Sequence, residues 1–281
     1  MRVTPKNSEP HRPWDEAASR FTGAIPEYYE RALGPVIFAD FADDIAHRAA
    51  ASSPERVLET AAGTGIVTRH LRNLLPTGSW LTATDLNEAM LDIARAKFRP
   101  GEEVTFMPVD ATELPFRQGA FDAVVCQYGV MFFPDKARSH REVRRVLARN
   151  GHYVFNVWDS HAHNAFGRLA HETVVRLYPH DPPSFFQVPF GYHDTDAITE
   201  SLIDAGFTDI KATVVRLEKQ VADPALFARG LICGTPMIDQ IHARAGAEPE
   251  RLIEALTDAF IHELRLGEHP LHMQAIVFEA A

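Results

Sequence analysis

The spacing of hydrophobic residues changes near residue 52, and this change separates two kinds of sequence. Before it, apolar residues recur at helical intervals in 25–33 and in 36–51, and Ser-Ser-Pro closes the second pattern. After it, short apolar runs alternate with amphipathic stretches as far as residue 158. We therefore predict helices in the first part, and β-strands separated by helices in the second.

The alternating part predicts five strands joined by short helical crossovers. The strands are expected at 56–60, 79–84, 104–109, 121–127 and 151–158, with helices at 66–75, 87–97 and 135–147. This alternation is typical of a parallel sheet with right-handed crossovers. Because ligands bind outside the carboxyl ends of the strands in such sheets, the residues that follow each strand are candidates for a site.

The alternation loosens after residue 160. Helices are expected at 163–177, 195–205, 223–242 and 249–264, strands at 207–216 and 272–279, and an aromatic, proline-rich loop at 179–189. We predict an α/β fold with a Rossmann-like, doubly wound, mostly parallel seven-stranded sheet whose final strand is antiparallel. Residues 1–51 are expected to form an N-terminal arm and helical cap, and 52–281 the sheet domain, with helical insertions near 160–195 and 220–265 that act as lids.

Charge and cysteine usage exclude several classes of protein. The chain has 28 basic and 38 acidic residues, a net charge of −10, which disfavours nucleic acid and anionic membranes as partners. No apolar leader and no apolar run of membrane-spanning length are visible, so no stable membrane insertion is expected. Cys126 and Cys233 form neither a disulfide framework nor a metal-ligand spacing, which favours a reducing cytoplasm and predicts no metal site.

Glycine-containing residues 59–65, Glu-Thr-Ala-Ala-Gly-Thr-Gly, connect the first predicted strand to its helix. Gly63 and Gly65 allow backbone conformations and close approaches that a side chain would prevent. The following helix presents its amide end to a polar or anionic group. Taken alone, the loop could hold a dinucleotide or another adenosine cofactor, or it could be a tight turn without a ligand.

Carboxylates follow the next two strands. Asp85 ends the second strand, where an acidic side chain can accept both hydroxyls of a ribose, although it could also cap the helix that starts at Asn87. Asp110 and Ala111 follow the third strand and could pair with an exocyclic adenine amine and a ring nitrogen. Asp110 could equally be a simple turn former. Glu59, just before the glycine loop, adds a further polar anchor.

Together these residues resemble the class I S-adenosylmethionine-dependent methyltransferases, and in particular the group similar to the ubiquinone/menaquinone biosynthesis C-methyltransferases. That family has an acid-x-Gly-x-Gly-x-Gly loop, an acid after the second strand and Asp-Ala after the third. Here the pattern becomes residues 59–65, Asp85 and Asp110-Ala111, with further likeness at 121–133 and 142–151. The resemblance covers about 55–160 well, and the N-terminal residues 14–21 more loosely.

The resemblance implies S-adenosyl-L-methionine as cofactor and a role for each matching residue. Gly63 and Gly65 would approach its methionine part, with Glu59 near the ammonium group. Asp85 would bind the ribose, and Asp110 with Ala111 the adenine. The remaining expected cofactor residues are Ala61, where the family has glycine, Leu86, Met90, which could instead be a core residue, and Gln127, near the sulfonium or the acceptor.

Two other functions compete with methyl transfer. A Rossmann oxidoreductase using an NAD-type dinucleotide needs a Gly-x-Gly-x-x-Gly loop, whereas its third glycine position is Thr68 here and Asp110-Ala111 would have no function. A binding or regulatory protein could keep the cofactor pocket without catalysis. A pair of residues that abstracts a proton would separate this second alternative from an enzyme, and the sequence shows none.

The methyl acceptor is expected to be a small, partly apolar molecule, and carbon, oxygen and nitrogen acceptors all stay open. Candidate bases are His161 and His163 after the fifth strand, which could instead be solvated loop residues, and Tyr128 beside the fourth. Tyr28 and Tyr29 could line the pocket and Trp14 could help to close it, or these aromatic residues could instead pack the cap on the core. An apolar lid is expected at 184–192. The chain is expected to be a monomer or a homodimer.

Overall fold

The computed structural model describes residues 19–244, 246 and 248–281. The predicted N-terminal arm, Trp14 and most of residues 14–21 therefore lie outside the described residues.

Seven strands form one sheet in the described part of the chain, in the order β3-β2-β1-β4-β5-β7-β6. They are β1 (Arg56–Glu59), β2 (Trp80–Asp85), β3 (Val104–Pro108), β4 (Phe121–Gln127), β5 (Leu147–Trp158), β6 (Ile210–Lys219) and β7 (Leu271–Ala280). β1 to β5 pair in parallel, and β7 runs antiparallel to both β5 and β6. The predicted Rossmann-like, mostly parallel sheet with an antiparallel final strand is confirmed.

The central strands are apolar on both faces, because helices cover both. Successive residues of a strand point to opposite faces, so Leu58 and Val124 pack in one cluster while Val57 and Val125 pack in the other. The helices of the sheet layers are α2 (Ala39–Ala50) and α3 (Ile66–Leu74) on one face, α5 (Lys136–Val146) and α7 (Thr195–Asp204) on the other, and α4 (Glu88–Arg95) beside β2 and β3.

The N-terminal helical region is continuous where the sequence suggested two helices. A short α1 (Ile25–Tyr28) runs directly into a π-helix (Tyr29–Phe38), which continues into α2. Pro35 lies inside the π-helix and has no N–H to donate, so the regular α-helical bonding cannot pass through it. The wider π-helical turn keeps the chain helical across the proline, so the two predicted helices become one.

The remaining helices gather at the carboxyl ends of β4 and β5. They are α6 (Ala165–Leu177), α8 (Pro224–Cys233), α9 (Met237–His242) and α10 (Pro249–Glu263). The single helix predicted over 223–242 is two helices, because Pro236 follows Gly234 and Thr235 and prevents a continuous ladder. With the π-helix and Trp158 these helices surround one large apolar cluster. Within the described residues no helix is long and apolar enough to cross a membrane.

Candidate cofactor and acceptor sites

The loop after β1 is held in an unusual backbone conformation. Ala61, Gly63 and Gly65 all have positive φ, at 52°, 55° and 77°. A β-carbon on Gly65 would lie 2.8 Å from the Cβ of Ala94, so this glycine lets α3 pack closely on α4. Gly65 lines none of the cavities described below, and its visible role in the structure is packing.

Ala61 occupies the position where the resembled family has glycine. A left-handed conformation costs an alanine roughly 1–2 kcal/mol. Its methyl group is accommodated by Gly129, since a β-carbon on Gly129 would lie only 2.4 Å from the Cβ of Ala61. The departure from the family pattern at residue 61 thus depends on a glycine after β4.

Asp85 fastens the loop to the end of β2. Its carboxylate accepts hydrogen bonds from Gly63 N at 2.9 Å and from Asn87 N at 2.8 Å. Burial raises the pKa of this carboxyl, although those hydrogen bonds act in the opposite direction. Asn87 rather than Asp85 occupies the N-cap position of α4. Asp85 therefore supports the loop and also borders the cleft beside it.

The loop after β3 is a turn organised by its aspartate. One carboxylate oxygen of Asp110 accepts from both the backbone N and the hydroxyl of Thr112, each at 2.7 Å. The turn-forming role considered for Asp110 is therefore present. Asp110 and the buried Ala111 also border the same cleft as Asp85, so forming the turn does not remove them from the site.

A cleft of about 1330 Å³, open to solvent, lies across the carboxyl ends of β1 to β4. The structure brings eight of the predicted cofactor residues into its walls: Ala61, Gly63, Asp85, Leu86, Met90, Asp110, Ala111 and Gln127. Met90 is 3% exposed and its methyl group lies 3.4 Å from where a β-carbon of Gly63 would be, whereas Leu86 is 59% exposed. Their proximity is observed, and their individual roles stay predictions.

A smaller cavity of about 290 Å³ continues from the cleft beneath the loop, and Glu59 lines it. The Glu59 carboxylate is 1% exposed and accepts from the Thr68 hydroxyl at 2.6 Å. Burial raises the pKa of Glu59 to about 8, despite that hydrogen bond. A buried carboxyl with such a pKa is mostly protonated at neutral pH and would ionise when a cation binds beside it.

The smaller cavity also contains buried acceptor atoms that lack a hydrogen-bond partner. They are Oε1 of Gln127 and the hydroxyl oxygen of Thr64. The other amide atom of Gln127, Nε2, donates to the carbonyl of Phe38 at 3.1 Å. Unpaired acceptors next to a carboxyl suit a ligand group with several N–H donors, such as the ammonium of an amino acid. The cavity therefore fits the amino-acid end of S-adenosylmethionine.

A second, apolar chamber of about 510 Å³ adjoins the cleft. Ten of its sixteen lining residues are aromatic: Phe21, Tyr29, Phe38, Tyr128, Phe132, Trp158, Phe166, Phe185, Phe186 and Phe190. Four of these, Phe21, Tyr29, Tyr128 and Phe132, also line the cleft. Four residues of the predicted lid, Phe185, Phe186, Pro189 and Phe190, belong to the chamber wall.

The candidate bases are distributed unevenly around these cavities. Tyr128 lines both the cleft and the chamber and stacks on Trp158 at 4.2 Å, and burial raises the pKa of its hydroxyl. His161 packs on Phe190 with ring centroids 4.7 Å apart but lines neither cavity, and burial lowers its pKa. His163 is exposed and also lines neither. The geometry gives no support to either histidine as a base.

The two neighbouring tyrosines of the cap also differ. Tyr29 borders the cleft, the chamber and the inner cavity, and burial raises the pKa of its hydroxyl. Tyr28 borders none of these three cavities, and the guanidinium of Arg31 lies over its ring. Among the described residues no group of three or more histidine, cysteine or acidic side chains could hold a metal ion.

Sequence reasoning missed Asn87 as part of the site. Its side chain accepts from Phe21 N at 3.2 Å and donates to Ser19 O at 3.0 Å, while its Nδ2 and backbone N also approach Asp85. Asn87 thus ties the N-terminal residues to the carboxylate expected to bind the ribose. No local signal could have shown this, because the partners are more than sixty residues apart in the chain.

Comparisons with known proteins agree with this geometry. Residues 58–155 match the family model described as methyltransferase domain. The demethylmenaquinone methyltransferase of Thermus thermophilus is 37% identical over 128 residues, which are 45% of this chain and 58% of that protein. The ubiquinone/menaquinone biosynthesis C-methyltransferase of Shewanella sediminis is 25% identical over 171 residues, 56% of this chain and 68% of that protein.

The fold is shared with solved structures. Phosphoethanolamine N-methyltransferase 2 of Haemonchus contortus, in complex with phosphomonomethylethanolamine and S-adenosylhomocysteine, superposes with a TM-score of 0.57 at 19% identity. The superposition covers 91% of this chain and 56% of that one. At such low identity the likeness concerns the fold.

Residues 58–155 therefore carry a methyltransferase domain, and this domain is similar to those of the class I, S-adenosylmethionine-dependent methyltransferases. Within this class it is related to the ubiquinone/menaquinone group, which confirms the resemblance seen in the sequence. The chain spans about half the length of the first curated relatives that it matches. The matched model ends within β5, before the helices that complete the chamber.

Proposed function

We propose that this protein is an enzyme that transfers the methyl group of S-adenosylmethionine to a small molecule bound in the apolar chamber. The observation that carries the proposal is the adjacency of the two cavities across four shared aromatic residues. A cofactor in the cleft and an acceptor in the chamber would meet there. Holding both reactants in line supplies much of the acceleration that such a transfer needs.

Each part of the cofactor has a matching surface. Glu59 and Gln127 would hold the ammonium group in the inner cavity, and Asp85 the ribose hydroxyls. Asp110 and Ala111 border the region left for the adenine, with the Met90 side chain nearby. The solved methyltransferase that contains S-adenosylhomocysteine shares the fold of this chain. When bound, the cofactor supplies a methyl group already activated by its sulfonium.

The chain's own contribution is to orient the reactants and exclude water. Phe21 and Phe132 contact each other edge to face, with ring centroids 6.0 Å apart, where the cleft adjoins the chamber. Phe132 in turn stacks on Phe185 of the lid, also at 6.0 Å. These rings make the region between the cavities apolar, so electrostatic interactions with a sulfonium there would be weakly screened.

The two competing functions have less support. Thr68 stands where a dinucleotide-binding loop has its third glycine, and its hydroxyl is bound to Glu59 in the protein interior. A cofactor-binding protein without catalysis would not require a second, apolar cavity beside the cofactor cleft. A cytoplasmic location, and a monomeric or homodimeric state, complete the proposal.

Calorimetry tests the cofactor half of the proposal. Asp85→Asn keeps the side-chain shape but removes the charge that would accept both ribose hydroxyls, so S-adenosylhomocysteine should bind about tenfold or more weakly. Asp92→Asn is the matched control, since Asp92 is an exposed acid on α4 paired with Arg95. Equal affinities for wild type and Asp85→Asn would contradict the assigned pocket. Transfer from methyl-labelled cofactor to small-molecule mixtures tests catalysis itself.

A further inference from the structure

Among the residues that the structure describes, none that lines the apolar chamber carries a charge. Besides its ten aromatic residues it is lined by Leu33, Ile37, Met131, Pro189, Leu231 and Thr235. The one hydroxyl among these six is already engaged, because Thr235 donates to Leu231 O at 2.8 Å and accepts from Met237 N at 3.3 Å. An acceptor carrying a carboxylate or phosphate would lose its hydration there without gaining a counter-charge.

The described lining of the chamber also provides no group that could take a proton from an acceptor. The two ionisable residues in its lining, Tyr29 and Tyr128, have pKa values raised by burial. Nearby carboxylates act in the same direction: Asp85 and Glu30 beside Tyr29, and Asp44 on α2 beside Tyr128. Both phenols therefore stay protonated at neutral pH, and they can donate hydrogen bonds but cannot serve as bases.

Aromatic faces do, however, favour a positive charge. A cation within about 6 Å of an aromatic ring is attracted by the electron-rich face of the ring. Methyl transfer to an uncharged nitrogen moves positive charge from the cofactor into the acceptor, and hence into this aromatic chamber. Transfer to a hydroxyl would need a prior loss of a proton, for which the residues described in the lining provide no base.

We propose that the acceptor is an uncharged, apolar, ring-sized molecule whose methylated atom is a weakly basic nitrogen, and that no protein base takes part. The nitrogen lone pair attacks the methyl carbon and forms the N–C bond. The C–S bond breaks, and its electron pair stays on sulfur to give neutral S-adenosylhomocysteine. The positive charge passes to the methylated nitrogen, which leaves as a cation. This inference rests on the proposed function and narrows its substrate class.

A binding experiment can detect a ligand in the chamber directly, because Trp158 lines the chamber and its fluorescence responds to a bound molecule. The chain has three tryptophans; Trp80→Phe removes an exposed one, and loss of the signal in Trp158→Phe assigns it to the chamber wall. Three two-ring probes of similar size separate the possibilities: isoquinoline, 2-naphthol and 2-naphthoate. We expect isoquinoline and 2-naphthol to change the Trp158 fluorescence saturably at pH 8, and 2-naphthoate to bind at least tenfold more weakly.

Occupancy of the chamber is checked by filling it. Leu231→Phe should weaken isoquinoline binding at least fivefold, and Ile37→Phe provides a second variant if the first fails to fold. Leu226→Phe is the matched control on the same helix, since Leu226 is half-buried and does not line the chamber. Tight binding of 2-naphthoate, or isoquinoline binding that neither filling variant weakens, would overturn the proposal.

Transfer from labelled cofactor then tests the chemistry. At saturating cofactor, isoquinoline should be methylated with a rate that rises through its own pKa and levels off above it, and 2-naphthol should not be methylated. Methylation of 2-naphthol with a pH inflection that is independent of the acceptor's pKa would overturn the absence of a base. If none of the probes binds while S-adenosylhomocysteine still does by calorimetry, this inference fails and the proposed function survives. If the cofactor does not bind, the proposed function itself fails.

Discussion

Replacing Glu59 with glutamine should make the protein more stable at alkaline pH and worse at binding its cofactor. The Glu59 carboxyl is buried, with its pKa raised from an ordinary 4.5 to about 8. A raised pKa means that the folded state holds a proton which the unfolded state has already released. Its contribution to stability is therefore complete below pH 4.5 and is lost progressively as the pH rises towards 8.

The size of this effect follows from the two pKa values. A span of about 3.5 pH units corresponds to at most about 5 kcal/mol of unfolding free energy. Glutamine resembles the protonated carboxyl and has no charge to gain. The free energy of unfolding of Glu59→Gln should therefore exceed that of the wild type by a margin that grows between pH 5 and pH 8. Urea unfolding at intervals over this range measures the margin.

Cofactor binding should show the opposite dependence. Bound ammonium would lower the pKa of Glu59 and ionise it, so the wild type should bind S-adenosylhomocysteine more tightly as the pH rises towards 8. Glu59→Gln should bind weakly and lack that rise. Glu113→Gln, at an exposed side chain, is the control for removing one carboxylate. If Glu59→Gln and wild type showed the same change of stability between pH 5 and pH 8, the conclusion that Glu59 is buried and protonated would be refuted.

Two further substitutions test contacts that hold the site together. Gly129→Ala should lower the free energy of unfolding in urea by about 1–3 kcal/mol, because the added β-carbon would overlap Ala61 and Cys126. Ala61→Gly in the same chain should recover part of that loss. If the effects of the two substitutions were purely additive, a contact between residues 61 and 129 would be excluded. Bound S-adenosylhomocysteine should protect the protein against tryptic cleavage after the exposed Arg20. Asn87→Ala should reduce this protection by about tenfold, because the hydrogen bonds from Asn87 to residues 19 and 21 are lost. Unchanged protection, followed by mass spectrometry, would show that cofactor and N-terminal residues are not coupled through Asn87.

The sheet and the cofactor cleft could be predicted because their signals are local. Each of these strands is a short apolar run. The residue expected to bind the cofactor is the last of the strand, as Asp85 is, or follows it within two positions, as Asp110 does. Since parallel strands bring all their carboxyl ends to one edge, sequence order alone places these residues together. Gly65 shows where this kind of prediction fails. The sequence cannot distinguish a glycine needed for close helix packing, as Gly65 is, from one needed for close approach of a ligand.

The acceptor side could not be predicted in the same way. Its walls come from segments that are distant in the chain, such as Phe21, Trp158 and Leu231, and no periodicity connects them. The sequence also treated Tyr28 and Tyr29 alike, whereas the structure places Tyr29 alone beside the cavities. Which neighbour points inward depends on the α1-to-π-helix transition at this position, and helical patterning assumes a regular α-helix there.

The division between the two cavities is also a division along the gene. All the residues that line the cofactor cleft in the described part of the chain precede position 135. By contrast, eight of the sixteen residues that line the chamber come from position 158 onward. Changes in the later segment can thus reshape what is methylated while the source of the methyl group is kept. Proteins similar to this chain over residues 58–155 can therefore share its methyl donor and still differ in their methyl acceptor. Similarity in that region indicates the donor, and the acceptor has to be inferred from the chamber of each protein.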